Sequence, residues 1–187
     1  IDAWFNDINN CHFITNLPSD LENKPENVTF SFSCDYNNNG IIGNLENINS
    51  SLELDIEINE SSDLDRNFTE KYGIKLKQGN STLITFNFDF SSDKLNLKNI
   101  NLEKQDSEST KGSILISGIS LPEDETKTVY LDNIANTSKI CIKDEEIAVI
   151  TEISNNCDDA NEISILCPGS SSTYTCEIVN NTYKISG

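Results

Sequence analysis

The residues best suited to chemistry lie in one loop, residues 35–46. The loop matches the pattern D-x-[DN]-x-[DN]-G-x5-E, in which oxygen-bearing side chains at alternate positions converge on one calcium ion. The glycine of the pattern, Gly40 here, permits the positive φ that the sharp turn needs. The sequence therefore predicts a Ca²⁺ cofactor. Its predicted ligands are the side chains of Asp35, Asn37, Asn39 and Glu46 and the main-chain carbonyl of Ile41.

The segment before this loop predicts a strand and not the helix of an EF-hand. Residues 28–34 alternate apolar and polar side chains, which is typical of a half-buried strand. A second interpretation therefore stays open, in which Asn39 and Gly40 form an ordinary turn that binds no metal. If calcium binds, only Asp35 and Glu46 bring charge to it, so we expect a weak affinity of about 10⁻⁴–10⁻³ M.

Six cysteines offer a second kind of chemistry. No C-x2-C pair is present and His12 is the only histidine, which disfavours a zinc site. Disulfides are the favoured interpretation, and they imply an oxidising, extracytoplasmic setting. We choose sequential pairing because short, turn-rich sequence separates the two members of each pair. The predicted disulfides are Cys11 with Cys34, Cys141 with Cys157, and Cys167 with Cys176.

The chain of 187 residues is strongly acidic, with 31 Asp and Glu against 13 Lys and Arg and a formal net charge of −18. A surface of this charge repels nucleic acid and anionic membranes, so neither is an expected partner. No apolar run reaches the roughly 18 residues of a membrane span, so we expect no membrane insertion. Methionine is absent, which predicts a processed chain or a piece of a longer protein.

Acceptor sequons for N-glycosylation recur along the chain. A sequence this rich in Asn, Ser and Thr produces several of them by chance, so they permit surface glycosylation in a secreted protein without demonstrating it. The candidate glycosylation sites are Asn27, Asn49, Asn59, Asn67, Asn80, Asn136 and Asn180.

Period-two alternation dominates the apolar runs and indicates strands. In residues 51–59, Leu and Ile alternate with acidic side chains, so Glu53, Asp55 and Glu57 are expected on a solvated face. Residues 82–90 carry large apolar side chains on one face and predict the centre of the core. Short strands with turn signals between them predict an all-β fold, an antiparallel β-sandwich of Ig-like or jelly-roll-like type.

The composition of the sequence changes near residue 122, where proline and an acidic run suggest a junction between two parts of the chain. We therefore divide the chain into a β-sandwich domain, residues 1–121, and a small disulfide-stapled β module, residues 122–187. The boundary is soft, and one continuous fold is the open alternative. The second part is too short to bury much core alone, and two disulfides would offset that deficit.

The last part of the chain also carries a resemblance. Residues 126–133, 140–144, 174–176 and 183–187 resemble a cysteine-containing β module of predicted secreted surface proteins of archaea. The similarity covers about the last third of the chain. It implies a large modular cell-surface or filament-forming protein with β-sandwich repeats, and it carries over no active site.

No catalytic motif stands out in the sequence. It lacks G-x-S-x-G, H-E-x-x-H and a phosphate-binding glycine loop, so we predict that the chain is not an enzyme. The favoured function is an extracellular structural subunit or domain of a cell-surface assembly, such as a filament, a surface layer or an adhesin stalk. Its expected partners are copies of itself or other domains of a longer surface protein.

The alternative function is a calcium-dependent carbohydrate- or host-binding adhesin module, with glycans as partners. Aromatic side chains grouped on one exposed surface would favour this alternative, because sugars stack on aromatic rings. The candidate aromatic residues are Trp4, Tyr36, Tyr72 and Tyr174.

Overall fold

A computed structural model describes residues 11–14, 31–105, 112–122, 124–134, 137–143, 145, 147–154 and 156–187. Within these ranges the protein is all-β, with short 3₁₀ helices at Leu45–Asn47, Leu97–Asn99 and Ile150–Glu152. The strands are β1 (Cys11–Ile14), β2 (Ser31–Cys34), β3 (Ile41–Ile42), β4 (Asp55–Ile58), β5 (Lys71–Gln78), β6 (Ser81–Asp89), β7 (Leu95–Asn96), β8 (Asn101–Lys104), β9 (Ile114–Ser117), β10 (Lys127–Asp132), β11 (Lys139–Lys143), β12 (Glu162–Leu166), β13 (Gly169–Ser171), β14 (Tyr174–Val179) and β15 (Thr182–Ser186).

One seven-stranded antiparallel sheet dominates the described structure, in the order β13-β14-β15-β10-β6-β5-β4. Smaller two-stranded sheets join β1 to β2, β8 to β9 and β11 to β12 in antiparallel fashion, and β3 to β7 in parallel. The prediction of an all-β fold is therefore confirmed, whereas the sandwich arrangement stays a prediction.

Alternation along β4, β5 and β6 explains which face of the main sheet is buried. The register places Ile58 opposite Ile74 and Ile74 opposite Phe86, and all three are at most 4% exposed. Each fully buried Ile or Leu contributes about 1.5–3 kcal/mol relative to an exposed one. The first core consists of Ile41, Ile48, Ile56, Ile58, Phe68, Ile74, Leu76, Leu83, Ile84, Phe86, Phe88, Phe90, Leu95, Leu97, Ile100 and Leu102.

A second core lies in the C-terminal part of the chain. It consists of Leu131, Ile140, Ile165, Cys167, Tyr174, Cys176 and Tyr183. The core thus changes near the boundary expected between residues 121 and 122. The sheet does not break there, because β10 pairs with β6 on one side and with β15 on the other. The two parts of the chain share one sheet.

The opposite face of β4 and β5 is polar. Glu57 accepts hydrogen bonds from Lys75 Nζ at 3.1 Å and from Lys77 Nζ at 2.7 Å, while Asp55 and Glu53 are exposed. Since β4 is an edge strand of the sheet, charges on it hinder edge-to-edge association of folded molecules.

The pairing of Glu57 makes stability depend on pH. Hydrogen bonds from Lys77 and Lys75 hold the pKa of Glu57 below its ordinary value of 4.5. A lowered folded-state pKa adds stability above the unfolded-state pKa, and this stability is lost as pH falls through the folded-state pKa. We expect Glu57→Gln to melt below the wild type at about pH 7, with the difference shrinking as pH falls below 4.5, the ordinary pKa of the group.

Thermal unfolding across this pH range measures the difference. The matched control is Glu53→Gln, since Glu53 is exposed and forms no ion pair with any described residue. A Glu57→Gln difference that persists at low pH would contradict the ion-pair explanation.

Candidate functional site

Asp35 is the most deeply buried acidic residue of the described structure, at 1% exposure. Its Oδ1 accepts a hydrogen bond from the Asn39 amide at 3.1 Å, and its Oδ2 accepts one from the Gly40 amide at 2.9 Å. Lys94 Nζ lies 3.1 Å from Oδ2. A buried charge is tolerated only when it is paired and hydrogen-bonded, and this carboxylate meets both conditions.

A short parallel pairing brings Lys94 to the loop. Lys94 directly precedes β7, and β7 pairs with β3, which begins one residue after Gly40. The Leu95 amide donates to the Gly40 carbonyl at 3.0 Å. Gly40 has φ 92°, and a Cβ atom there would lie 2.9 Å from Phe90 Cδ1. Glycine is therefore required both by the turn and by the close packing around it.

Asn39 ties the loop to a second segment of the chain. Its side-chain oxygen accepts a hydrogen bond from the Ile41 amide at 2.9 Å, and its side-chain NH₂ donates to the Leu64 carbonyl at 2.7 Å. The Phe68 amide donates to the main-chain carbonyl of Asn39 at 3.0 Å. The side-chain oxygen that would face a calcium ion accepts one hydrogen bond within the turn.

The other predicted side-chain ligands lie elsewhere on the loop. Asn37 is exposed, and Glu46 is exposed within the 3₁₀ helix Leu45–Asn47. The ammonium of Lys94 lies 3.1 Å from Asp35 Oδ2, so it takes the position beside this carboxylate that a bound cation would have. The residues therefore do not fit a calcium shell in this conformation, and the geometry favours the turn interpretation. Calcium binding stays a prediction of the sequence.

Asp35→Asn tests the buried pair. The change removes the charge that faces Lys94 and replaces one acceptor oxygen with an NH₂ group. We expect a loss of about 2–4 kcal/mol in the free energy of unfolding, measured by urea titration. The matched control is Glu46→Gln in the same loop, which should change stability by less than about 0.5 kcal/mol. Equal losses in the two variants would contradict the assigned role of Asp35.

Calcium titration tests the predicted metal site directly. Because Lys94 already pairs with Asp35, we expect no saturable rise in melting temperature between about 0.1 and 10 mM calcium, a range that covers weak extracellular sites. Magnesium is the control for ionic strength. A rise that saturates in calcium and is absent in Asp35→Ala would contradict this expectation and establish the site.

The cysteines form disulfides as the sequence predicts. Cys141 is bonded to Cys157, and Cys167 to Cys176. Cys34 is also disulfide-bonded, and the register of β1 and β2 places Cys11 opposite it in the backbone. The side chain of Cys11 lies outside the described residues, so its pairing stays a prediction. Each disulfide typically adds about 2–4 kcal/mol by constraining the unfolded chain.

A cluster of possible metal-binding groups near β11 has a different explanation. One sulfur each from Cys141 and Cys157 and a carboxylate oxygen of Glu162 lie within 4.8 Å of one another. The two sulfurs are bonded to each other, so neither is a thiolate ligand. Glu162 instead accepts hydrogen bonds from the hydroxyl and the amide of Ser154, at 2.5 Å and 2.6 Å. These contacts lower the pKa of Glu162.

The sequon asparagines of the described structure are accessible. Three of them lie at strand-connecting turns, because Asn80 follows β5, Asn59 follows β4 and Asn180 follows β14. Asn27 and Asn136 lie outside the described residues. The exposed sequon residues are Asn49, Asn59, Asn67, Asn80 and Asn180.

The candidate sugar-binding aromatics do not share an exposed surface. Tyr36 is 90% exposed, but Tyr174 is buried. Tyr72 is half-buried, with its ring 5.7 Å from that of Phe68. Trp4 lies outside the described residues. Of the candidates that can be placed, only Tyr36 is available for stacking on a sugar.

A large cavity is the feature that sequence reasoning missed. It has a volume of about 1210 Å³ and lies among β9, β10, β11 and β15. Its apolar residues read as ordinary core residues in the sequence, and nothing in their spacing shows that these strands surround an open space. Sequence reasoning also missed the role of Lys94, because its partner Asp35 is remote in sequence.

Comparisons with known protein families, with curated proteins and with solved structures each find no match to this chain. Among the described residues, none of the helices has the length and apolar character needed to cross a bilayer.

Proposed function

We propose that the chain is a structural β domain of an extracellular or cell-surface assembly, such as a filament, a surface layer or an adhesin stalk. The observation that carries the proposal is the pair of disulfides that cross-links the C-terminal part of the fold. Disulfides of this kind form and persist in oxidising compartments. The resemblance to secreted archaeal surface modules agrees with this role.

The use of the chemistry-bearing residues supports the same proposal. The carboxylate of Asp35 holds a turn and a lysine in place. The ionic groups of Glu57 and Glu125 join neighbouring segments of the sheet surface through Lys75, Lys77 and Lys71. These charged groups stabilise the fold, as is expected of charged groups in a structural domain. We keep the proposal that the chain is not an enzyme.

The proposed mechanism is mechanical. Main-chain hydrogen bonds run across the seven strands of the main sheet, and the disulfides restrain its C-terminal part. Glycans on the exposed sequons would shield the surface, since they are bulky and hydrophilic. Neighbouring copies or domains would join through strand edges, where backbone groups give affinity and alternate side chains give register.

The calcium-dependent adhesin is the second candidate function. It needs a cation site and an exposed aromatic platform. Tyr36 is exposed within the loop, which supports this candidate, whereas the burial of Tyr174 and the packing of Tyr72 against Phe68 count against a platform. A glycan array probed with calcium and with a chelator separates the two candidates, because calcium-dependent hits are expected only of the adhesin.

Self-association tests the structural role. We expect the sedimentation coefficient to rise with protein concentration from about 1 μM to 1 mM, because an assembly subunit or domain forms contacts with its neighbours. Salt near 0.15 M is needed, since a net charge of −18 opposes association at low ionic strength. A chelator should leave this behaviour unchanged. A strictly monomeric protein under all concentrations, with and without calcium, would contradict the proposal.

A further inference from the structure

The large cavity has the geometry of a groove with strand edges as its walls. Its floor is formed by alternate residues of β10 and β15, which is how a sheet presents a face, and Asp132 lines it at the end of β10. Its walls are formed by consecutive residues, 113–117 along β9 and 139–143 along β11. Consecutive lining is expected where a cavity meets the hydrogen-bonding edge of a strand, since that edge exposes backbone from every residue.

Hydrogen bonds around β8 show which backbone groups of β9 face outward. The Leu102 amide donates to the main-chain carbonyl of Asn49 at 2.9 Å, on the side of β8 away from β9. The backbone groups of Glu103 therefore point at β9, where the register pairs Glu103 with Leu115. Alternation then directs the backbone groups of Ile114 and Ile116 away from β8. Within the described ranges, no strand pairs with this outer edge.

The same argument applies to β11. The Cys167 amide donates to the Ser138 carbonyl at 2.6 Å, in register with the pairing of β11 and β12. Alternation from Ser138 directs the backbone of Ile140 toward β12 and that of Cys141 and Lys143 away from it. No described strand pairs with this second edge either. Two open strand edges thus border one groove.

The side chains around the groove indicate the chemistry of an occupant. Val129 and Ile185, which are register partners, give the floor its apolar character. Charged side chains of both signs also line the groove, and the carboxylates of Asp132 and Glu145 are each paired with a lysine. The lining therefore selects no charge, and the apolar floor between two open strand edges favours an extended strand whose apolar side chains share one face.

We propose that this groove binds an extended strand from a neighbouring chain, with apolar side chains at alternate positions and uncharged polar side chains between them. The apolar side chains would lie on the floor, and the backbone would pair with the outer edges of β9 and β11. The inserted strand would join the β8–β9 and β11–β12 sheets into one layer opposite the main sheet. This inference rests on the proposed structural role and names the partner surface for it.

Residue-resolved amide hydrogen exchange tests the proposal in the wild-type chain. The probe is a capped peptide of about nine residues that alternates Ile or Val with Thr or Gln, long enough to form a strand. We expect saturating peptide to slow exchange at Ile114, Ile116, Cys141 and Lys143 by at least about tenfold. The amides of Leu115 and Ile140, which point at β8 and β12, are the internal controls and should not change.

Two control peptides define the chemistry. A peptide of the same composition with its apolar residues grouped together should give no protection, because it cannot place them on one face. A peptide of the same sequence with N-methylated backbone amides should bind at least about tenfold more weakly, because it cannot donate hydrogen bonds to the strand edges. Equal protection by all three peptides would overturn the proposal.

A pair of variants adds a test of the groove floor. Ile185→Lys places a charge on the floor and should abolish protection by the peptide. Ser186→Lys, one position along β15, changes the opposite face of the sheet and should leave protection intact. If Ile185→Lys does not fold, the exchange pattern of the wild-type chain still decides the question.

Two further results would overturn the proposal. Absence of peptide-dependent protection would show that the groove takes no strand of this chemistry. Protection of the outward amides in the isolated monomer would show that a segment of the chain itself occupies the groove. Failure of the peptide test together with self-association in sedimentation would reject the groove alone, whereas peptide binding by a strictly monomeric chain would reject self-assembly and leave the groove.

Discussion

The structure depends on the hydrogen bonding of β10 along both of its edges. Val129 pairs with Ile84 of β6 on one side and with Ile185 of β15 on the other. Each pairing alone would leave a sheet too small to cover its core, because a few strands bury little apolar surface. The main sheet is therefore continuous between the two parts of the chain through a single strand, and a disturbance of β10 would separate the β4–β6 part of the sheet from the disulfide-linked part.

The loop at Asp35 solves a different problem, which is how to bury a negative charge. The Asp35 carboxylate accepts hydrogen bonds from two amides of the same turn, and it pairs with Lys94, which directly precedes β7. The solution also fixes β3 beside β7, because Lys94 and Leu95 contact the loop at adjacent positions. Either a metal ion or a lysine can neutralise the buried carboxylate of such a turn, since both supply positive charge. The ammonium requires no ligand shell, so Asn37 and Glu46 are left at the surface.

How far the sequence predicts this structure depends on whether a feature is local. Alternation in residues 82–90 predicts β6, and close sequence spacing predicts the bonds of Cys141 to Cys157 and of Cys167 to Cys176. The pattern around Asp35 was ambiguous, because an Asp followed by Asn and Gly is required both by a calcium loop and by a side-chain-capped turn. The partner that favours the second interpretation, Lys94, is distant in sequence. The groove depends on which strand edges stay unpaired, and no local pattern encodes that.

The Cys141–Cys157 disulfide has a consequence for the groove that it borders. Both cysteines line the groove, so the bond links β11 covalently to Cys157, which lies outside that strand. Such a wall is pre-organised, because the covalent link has removed conformational freedom before any partner arrives. Binding then has less disorder to overcome, and a partner would be retained by slow dissociation as much as by contact area. In an oxidising compartment, the cross-link would in this way slow the dissociation of the strand proposed to bind the groove.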